Sequence, residues 1–220
     1  MSPRILFELE LEALKNSVKD MGKQIELVYN KLFEALVNKS AEEMEGIVQN
    51  DRLINDMQRN IEARCLTLLT KQQPIARDLR MVSAALKVVT DMERMGDHVS
   101  DMAELFIRMN LPVLEEFSRS LPLMVRSAGK IIRDSLIAFG DKEIEKAKAV
   151  IAYDDVIDNY FNEVKEDLIM DLKEGNKNTD DCVDMLMITK YLEKIGDHAV
   201  NIGEWAIFKE TGDMEDVRLL

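Results

Sequence analysis

Apolar residues recur through almost the whole chain at helical rather than alternating spacing, as in the series Ala85, Val89, Met92, Met95, Val99, Met102 and Phe106. Such a three-to-four residue period places apolar side chains on one face of a helix. With only 9 Gly, 4 Pro and few β-branched clusters, strand signals are scarce. The pattern predicts an all-α fold.

The periodic stretches break at Asn38-Lys39-Ser40, Gln72-Gln73-Pro74, Asn110-Leu111-Pro112, Ser120-Leu121-Pro122, Gly140-Asp141 and Gly175-Asn176-Lys177-Asn178. These cuts leave six helices of about 20 to 34 residues. Several breaks carry capping chemistry. Ser40 with Glu43, and Asn178 with Asp181, read as helix starts in which a side-chain oxygen accepts an orphan backbone N–H. Gly140 suits a left-handed helix end just before Asp141 opens the next helix. Pro74 suits the first turn of the third helix, and Pro112 stops that helix.

The chain also repeats itself. Met21 aligns with Met124, Ala35-Leu36 with Ala138-Phe139, and the segment Val48 to Asn55 with Ile151 to Asp158, at an offset of 103 residues. Beyond the loop that holds Pro74 the offset becomes 100: Glu93, Gly96, Asp97, His98, Asp101 and Glu104 align with Glu193, Gly196, Asp197, His198, Asn201 and Glu204. A length change confined to a loop is what duplication of a three-helix unit produces. Two tandem, pseudo-symmetric three-helix bundles follow, over residues 1–112 and 118–220, with long helices able to make the pair one rod.

Composition narrows the function. The 220 residues are 46% apolar, enough for a buried core, and the formal net charge of −13 repels nucleic acid and anionic lipid. No apolar run approaches a membrane span or a secretory leader, so a soluble, cytoplasmic protein is expected. Cys65 and Cys182 fall at non-equivalent repeat positions and form no CxxC pair, which makes them reduced core thiols. Most of the 14 methionines, including Met44, Met57, Met92, Met102, Met185 and Met187, fit core-facing positions, and Trp205 is expected to pack.

The candidate chemistry lies in the copied segment. Glu93, Asp97, Asp101 and Glu104 fall within roughly one quarter of the helix circumference, nearly opposite the apolar series, and are expected to face outward. An acidic stripe alone describes an ordinary solvated face. Its reconstruction by Glu193, Asp197, Asn201 and Glu204, with the only two histidines each following the central Asp, argues for more. Asp154 and Asp158 add a pair one helical turn apart, matched by Asp51 and Asn55 in the first half. Clustered carboxylates repel one another unless a cation sits between them, and oxygen ligands suit Mg²⁺, Mn²⁺, Ca²⁺ or iron, with zinc also open. His98 and His198 lie about 100° around the helix from those aspartates, which favours helix pairing or support of a ligand over ligation. Gly96 and Gly196, inside helices at a cost of about 1 kcal/mol each, mark close helix contacts.

The copied motif, together with Gln73-Pro74-Ile75-Ala76-Arg77-Asp78-Leu79-Arg80 and Gly196-Asp197-His198-Ala199-Val200-Asn201-Ile202, resembles the PhoU family of phosphate-uptake regulators over nearly the whole chain. The resemblance implies two three-helix bundles whose Glu/Asp-x-x-x-Asp motifs hold metal ions. Position by position these are Glu93/Asp97, Glu193/Asp197 and Asp154/Asp158, extended by Asp101 and Asn201. Asp51 departs from the motif, since Asn55 follows it, so two unequal centres are expected. The resemblance further implies a non-enzymatic, homodimeric adaptor beneath the inner membrane face. It would link the ATPase subunit of the phosphate ABC transporter to the sensor histidine kinase of the phosphate two-component system and act as negative regulator of phosphate-starvation genes. A ferritin-like di-iron redox protein and a metal-free helical scaffold are the alternatives. The di-iron case needs Glu-x-x-His ligands on interior faces, whereas here each histidine follows its Glu by five residues. No P-loop, nucleophile elbow or zinc-protease motif is present.

Overall fold

The computed structural model describes residues 3–49, 51–72 and 74–213; Asn50 and Gln73, which enter the sequence comparisons above, lie outside the described residues. Helices α1 (Pro3–Val37), α2 (Ala41–Gln49), α3 (Asp51–Gln72) and α4 (Ala76–Arg108) make the first half. A linker with one 3-10 turn, Leu114–Glu116, leads to α5 (Leu121–Gly140), α6 (Ile144–Glu174) and α7 (Thr179–Thr211). Helices α2 and α3 flank residue 50 and together match α6, so each half offers the three expected helical stretches. There is no strand among the described residues.

The helix ends carry some of the expected capping chemistry. Ser40 Oγ accepts from Glu43 N at 3.3 Å, and Asn178 Oδ1 accepts from Asp180 N at 2.8 Å. Two expectations are corrected. Gly140 does not take a left-handed conformation; Asp141 follows it in extended backbone, and α6 starts only at Ile144. The end of α5 is closed instead by the buried Lys209 of α7, whose ammonium donates to the carbonyls of Phe139 and Asp141. Pro74 lies ahead of the helix rather than in its first turn, since Ile75 is the N-cap of α4. Asn110 and Leu111, both with φ of 55°, turn the chain out of α4 just before Pro112.

One continuous core runs through both halves. The apolar face of α4 is buried throughout, with Ala85, Val89, Met95, Val99, Met102 and Phe106 at 0% exposure. Helix α4 packs on α7 as closely as the helices within a half pack on each other. The two run antiparallel: Arg108 reaches Asp184 at one end, the rings of His98 and His198 lie 5.5 Å apart near the middle, and Arg77 meets Glu210 at the other end. Helices α1 and α5 cross in the same sense, tied by Tyr29 Oη donating to Val125 O at 2.7 Å and by Arg133 Nε to Glu26 at 2.7 Å. The repeats are thus related by a pseudo-twofold axis passing between the two histidines.

The linker is pinned at both ends. Lys39 donates to the carbonyl of Leu111, and Ser118 Oγ donates to Asp167 Oδ2 of α6 at 2.6 Å. Cys65 and Cys182 are buried free thiols, and burial pushes the Cys65 thiol up to about 12, which keeps it inert. Trp205 packs edge-on against Phe208 with ring centres 5.4 Å apart. Met187 corrects the methionine reading: it is 43% exposed rather than core-facing.

Candidate metal centre

The carboxylates of each half gather along the seam between two helices: α3 beside α4, and α6 beside α7. In the first half Asp51, Glu93, Asp97 and Asp101 come together. Burial, followed by repulsion from Asp97, Asp51 and Glu62, raises Glu93. Burial and the charges of Asp51 and Asp101 raise Asp97, and burial with a smaller push from Asp101 raises Asp51. Glu62 is a member that sequence reasoning missed. Its spacing from Asp51 and Asn55, i and i+11 from the first of them, was the available signal.

In the second half Asp154 and Asp158 of α6 face Glu193 and Asp197 of α7. Burial raises Asp154 to about 6, with further contributions from Asp158, Asp197 and Glu193. Burial, then Glu193 and Asp197, raises Asp158. Asp154 Oδ1 and Glu193 Oε2 are buried atoms without a hydrogen-bond partner. Gly196 lets Asp154 come close: a Cβ there would stand 2.6 Å from Asp154 Oδ1, so any side chain at this position would require that oxygen to move. At Gly96 the neighbour is aliphatic: a Cβ there would stand 2.8 Å from Ile54 Cδ1.

The expected outward stripe holds only in part: Glu104 is exposed and Asp197 keeps 39% of its side-chain surface, but the glutamates that open each motif do not face outward. Glu93 and Glu193 keep 15% and 14% of their side-chain surface, because α3 and α6 cover the groove in which they sit. Asp101 turns toward Tyr191 of the other half, whose hydroxyl it engages. Asn201, expected to extend the second motif, donates to Asp91 Oδ1 at 3.0 Å across the α4–α7 seam. His198 Nδ1 lies 2.8 Å from the same Asp91 oxygen, while the His98 ring stacks on Tyr191 at 5.2 Å. Both histidines therefore join the halves, as their place on the helix suggested.

The two centres respond differently to a test for a cation. The second has a buried oxygen, Asp154 Oδ1, with no hydrogen-bond partner and no cation beside it, next to Gly196, and its donors are all hard oxygens, so the residues fit a divalent ion in place of the lysines that reach Glu193 and Asp197. In the first, Asn55 Nδ2 already donates to Asp51 Oδ2 at 3.0 Å, and Arg94 reaches Asp97 at 3.2 Å and Glu93 at 3.6 Å. Among the described residues no three His, Cys, Asp or Glu side chains stand in a ready ligand geometry. In the second half the cause is visible: lysines draw Glu193 and Asp197 onto themselves. A groove of about 790 Å³ between α1, α5 and the ends of α4 and α7 lies apart from both centres.

These shifts make stability depend on pH in opposing ways. Asp154 is raised above its unfolded value, so its contribution is complete below about 4 and lost as pH rises through 6. His98, lowered to about 4 by burial and then by His198, contributes fully above about 6.5 and loses that contribution as pH falls through 4. In chelator, Asp154→Asn should therefore lose stability faster than the parent between pH 6.5 and 4.5. His98→Gln should lose it more slowly. Each difference is about 1 kcal/mol once solvent screening of these half-buried groups is allowed for. Parallel urea midpoints across the three chains would contradict the assignment.

A duplicated all-helical fold, with a carboxylate groove on each half and its histidines on the axis between them, defines the class of protein. The PhoU domain matches residues 18–106 and 121–206, both halves in turn. A protein of Clostridium acetobutylicum described as phosphate-specific transport system accessory protein PhoU homolog is 33% identical over 215 residues, covering 97% of this chain and 98% of that one. A Streptococcus pneumoniae protein of the same description is 31% identical, covering 96% and 98%. The crystal structure of the phosphate transport system regulatory protein PhoU from Streptococcus pneumoniae superposes with a TM-score of 0.87 at 29% identity, over 96% of this chain and all of that one. PhoU from Pseudomonas aeruginosa gives 0.86 at 29% identity over 94% of this chain. This chain belongs to the PhoU family.

Proposed function

We propose that this protein is a metal-binding regulator of phosphate uptake and signalling. It acts as an adaptor between the ATPase subunit of a phosphate ABC transporter and the sensor histidine kinase of the phosphate two-component system, holding phosphate-starvation genes off when phosphate is plentiful. The observation that carries this reading is the end-to-end likeness to proteins described as accessory to phosphate-specific transport, which spans both halves and their carboxylate segments. No described helix is long and apolar enough to cross a membrane, in keeping with a role at the cytoplasmic face through partners. The homodimer belongs to the same proposal.

The residues that would hold a metal are Asp154, Asp158, Glu193 and Asp197 in the second half, and Asp51, Glu93, Asp97 and Asp101 in the first. Carboxylate-bound iron, manganese, magnesium or zinc would neutralise charges that now raise one another. The support is the buried Asp154 Oδ1, which has no hydrogen-bond partner, facing Glu193 across the groove. The di-iron enzyme reading draws no support from the histidines, which face each other across α4 and α7.

Two experiments test the proposal. Protein purified without chelator is expected to carry metal, and Asp97→Ala with Asp197→Ala should lose most of it while the helical circular dichroism persists. Equal metal content in that double variant would overturn metal binding at these residues. Tagged protein should retain the transporter ATPase and the kinase in a pull-down, and deletion of the gene should raise alkaline phosphatase in phosphate-rich medium. Failure to retain either partner, with enzyme levels unchanged, would overturn the adaptor role.

A further inference from the structure

The second centre holds two cations of its own. Lys190 Nζ donates to Glu193 Oε1 at 2.6 Å. Lys194 Nζ lies 3.4 Å from Glu193 Oε2 and also donates to Asp197 Oδ2. Both α7 carboxylates are therefore held by ammonium groups, while Asp154 Oδ1 across the groove has no donor at all. The first half is built differently. Thr90 stands where Lys190 does and turns its hydroxyl back to Leu86 O at 3.3 Å, so among the described residues one cation, Arg94, pairs with Glu93 and Asp97.

We infer that Lys190 and Lys194 are displaceable occupants of the second centre: they hold Glu193 and Asp197 until a divalent cation takes those oxygens together with Asp154, and cation entry releases both lysines to the surface. The inference rests on the carboxylate–metal reading above. The competition is direct, because ammonium and metal need the same oxygens, and a site cannot satisfy both at full strength. The lysines are suited to leaving. Their side chains are 41% and 40% exposed, and an ammonium on a flexible four-carbon stem can return to water without carrying a fixed fork of donors with it.

Two consequences follow. Metal affinity at this centre is reduced by the fraction of molecules in which the lysines hold the carboxylates, as for any ligand whose binding-competent state is partly populated. Loading also changes the surface, since two ammonium groups that were paired along the α6–α7 groove become free. The centre thus converts cation binding into a local gain of exposed positive charge, next to a seam that joins the two halves.

The test uses full-length protein and Mn²⁺ as the probe. With the first centre silenced by Asp51→Ala and Asp97→Ala, calorimetric titration compares that parent with a chain also carrying Lys190→Thr and Lys194→Met. The lysine variant is expected to bind Mn²⁺ about tenfold more tightly. A control carrying Lys148→Met and Lys173→Met removes the same charge elsewhere on α6 and should stay within about twofold of the parent, as expected for distant screened charges. Equal or weaker binding by the lysine variant overturns the inference while leaving the metal reading intact. Amine acylation of the unsubstituted chain, read by mass spectrometry, gives a second measure. Labelling of Lys190 and Lys194 should rise several-fold with Mn²⁺ while Lys165 stays constant, and unchanged labelling of the pair overturns the inference. Absence of Mn²⁺ binding in every chain, the unsubstituted one included, overturns both.

Discussion

Gly196→Val is expected to lower stability by about 2–3 kcal/mol and to empty the second carboxylate centre of any metal it holds. A Cβ at this position would stand 2.6 Å from Asp154 Oδ1 and 3.3 Å from Ile157 Cδ1. Helix propensity alone would favour valine over glycine by a few tenths of a kcal/mol, so the sign is set by the clash. Asp154 Oδ1 must then move from the position it holds beside Glu193 and Asp197. The second methyl group of valine then presses on Ile157, which is fully buried. For a chain of this size the unfolding midpoint should fall by about 6 °C. Gly96→Val is the informative partner: it too should destabilise, since its nearest neighbours are Ile54 and Ile25, but it lies in the other half and the second centre should keep its metal. A parent-like midpoint with full metal content in Gly196→Val would contradict the proposed role of the glycine.

A larger loss is expected from Phe106→Ala. Phe106 is completely buried on α4, its ring edge-on to Phe33 with centres 6.0 Å apart, and Phe33 in turn lies 5.1 Å from Tyr29. Removing a buried aromatic ring costs the transfer energy of its atoms plus a cavity, about 4 kcal/mol. That corresponds to roughly 12 °C in midpoint. Helix α4 packs on α1, α3 and α7 at once, and Tyr29 bonds to α5, so the loss should be felt by both halves. Thermal unfolding followed by circular dichroism should therefore show one transition, shifted as a whole. Two separated transitions would mean that the halves unfold independently despite their shared core.

Much of the fold was legible because helical periodicity and duplication reinforce each other. The series from Ala85 to Phe106 is buried as its spacing requires, and α2 with α3 occupies the same place in the first half as α6 does in the second. The cap at Ser40 was readable because its donor is three residues away. The end of α5 was not, because the ammonium that closes it comes from Lys209, seventy residues on, and local spacing carries no trace of that contact. The membership of the carboxylate sites was likewise only half visible. Helix geometry groups Glu93 with Asp97 but says nothing about what covers them, so an outward stripe was expected where α3 and α6 form a groove. Asn201 shows the same limit: its place on α7 is as expected, yet the antiparallel crossing brings it against Asp91 rather than into the second centre. Lys190 and Lys194 were passed over because a lysine three residues before an acid is ordinary on a helix surface. Only the burial of Glu193 and the bare oxygen of Asp154 distinguish them.

The axis between His98 and His198 gives the molecule the symmetry of a dimer, but its two halves share one peptide chain. In a true homodimer each substitution appears twice, so any change that weakens a site weakens both and any new contact on the axis must suit its own mirror. Joining the halves covalently removes that constraint. Asp91 can meet Asn201 on one side of the axis while Asp101 meets Tyr191 on the other, and Thr90 can stand opposite a lysine in its copy. Each groove is then free to change at its own rate under selection, and the molecule can hold two thresholds where a symmetric pair of identical subunits would hold one.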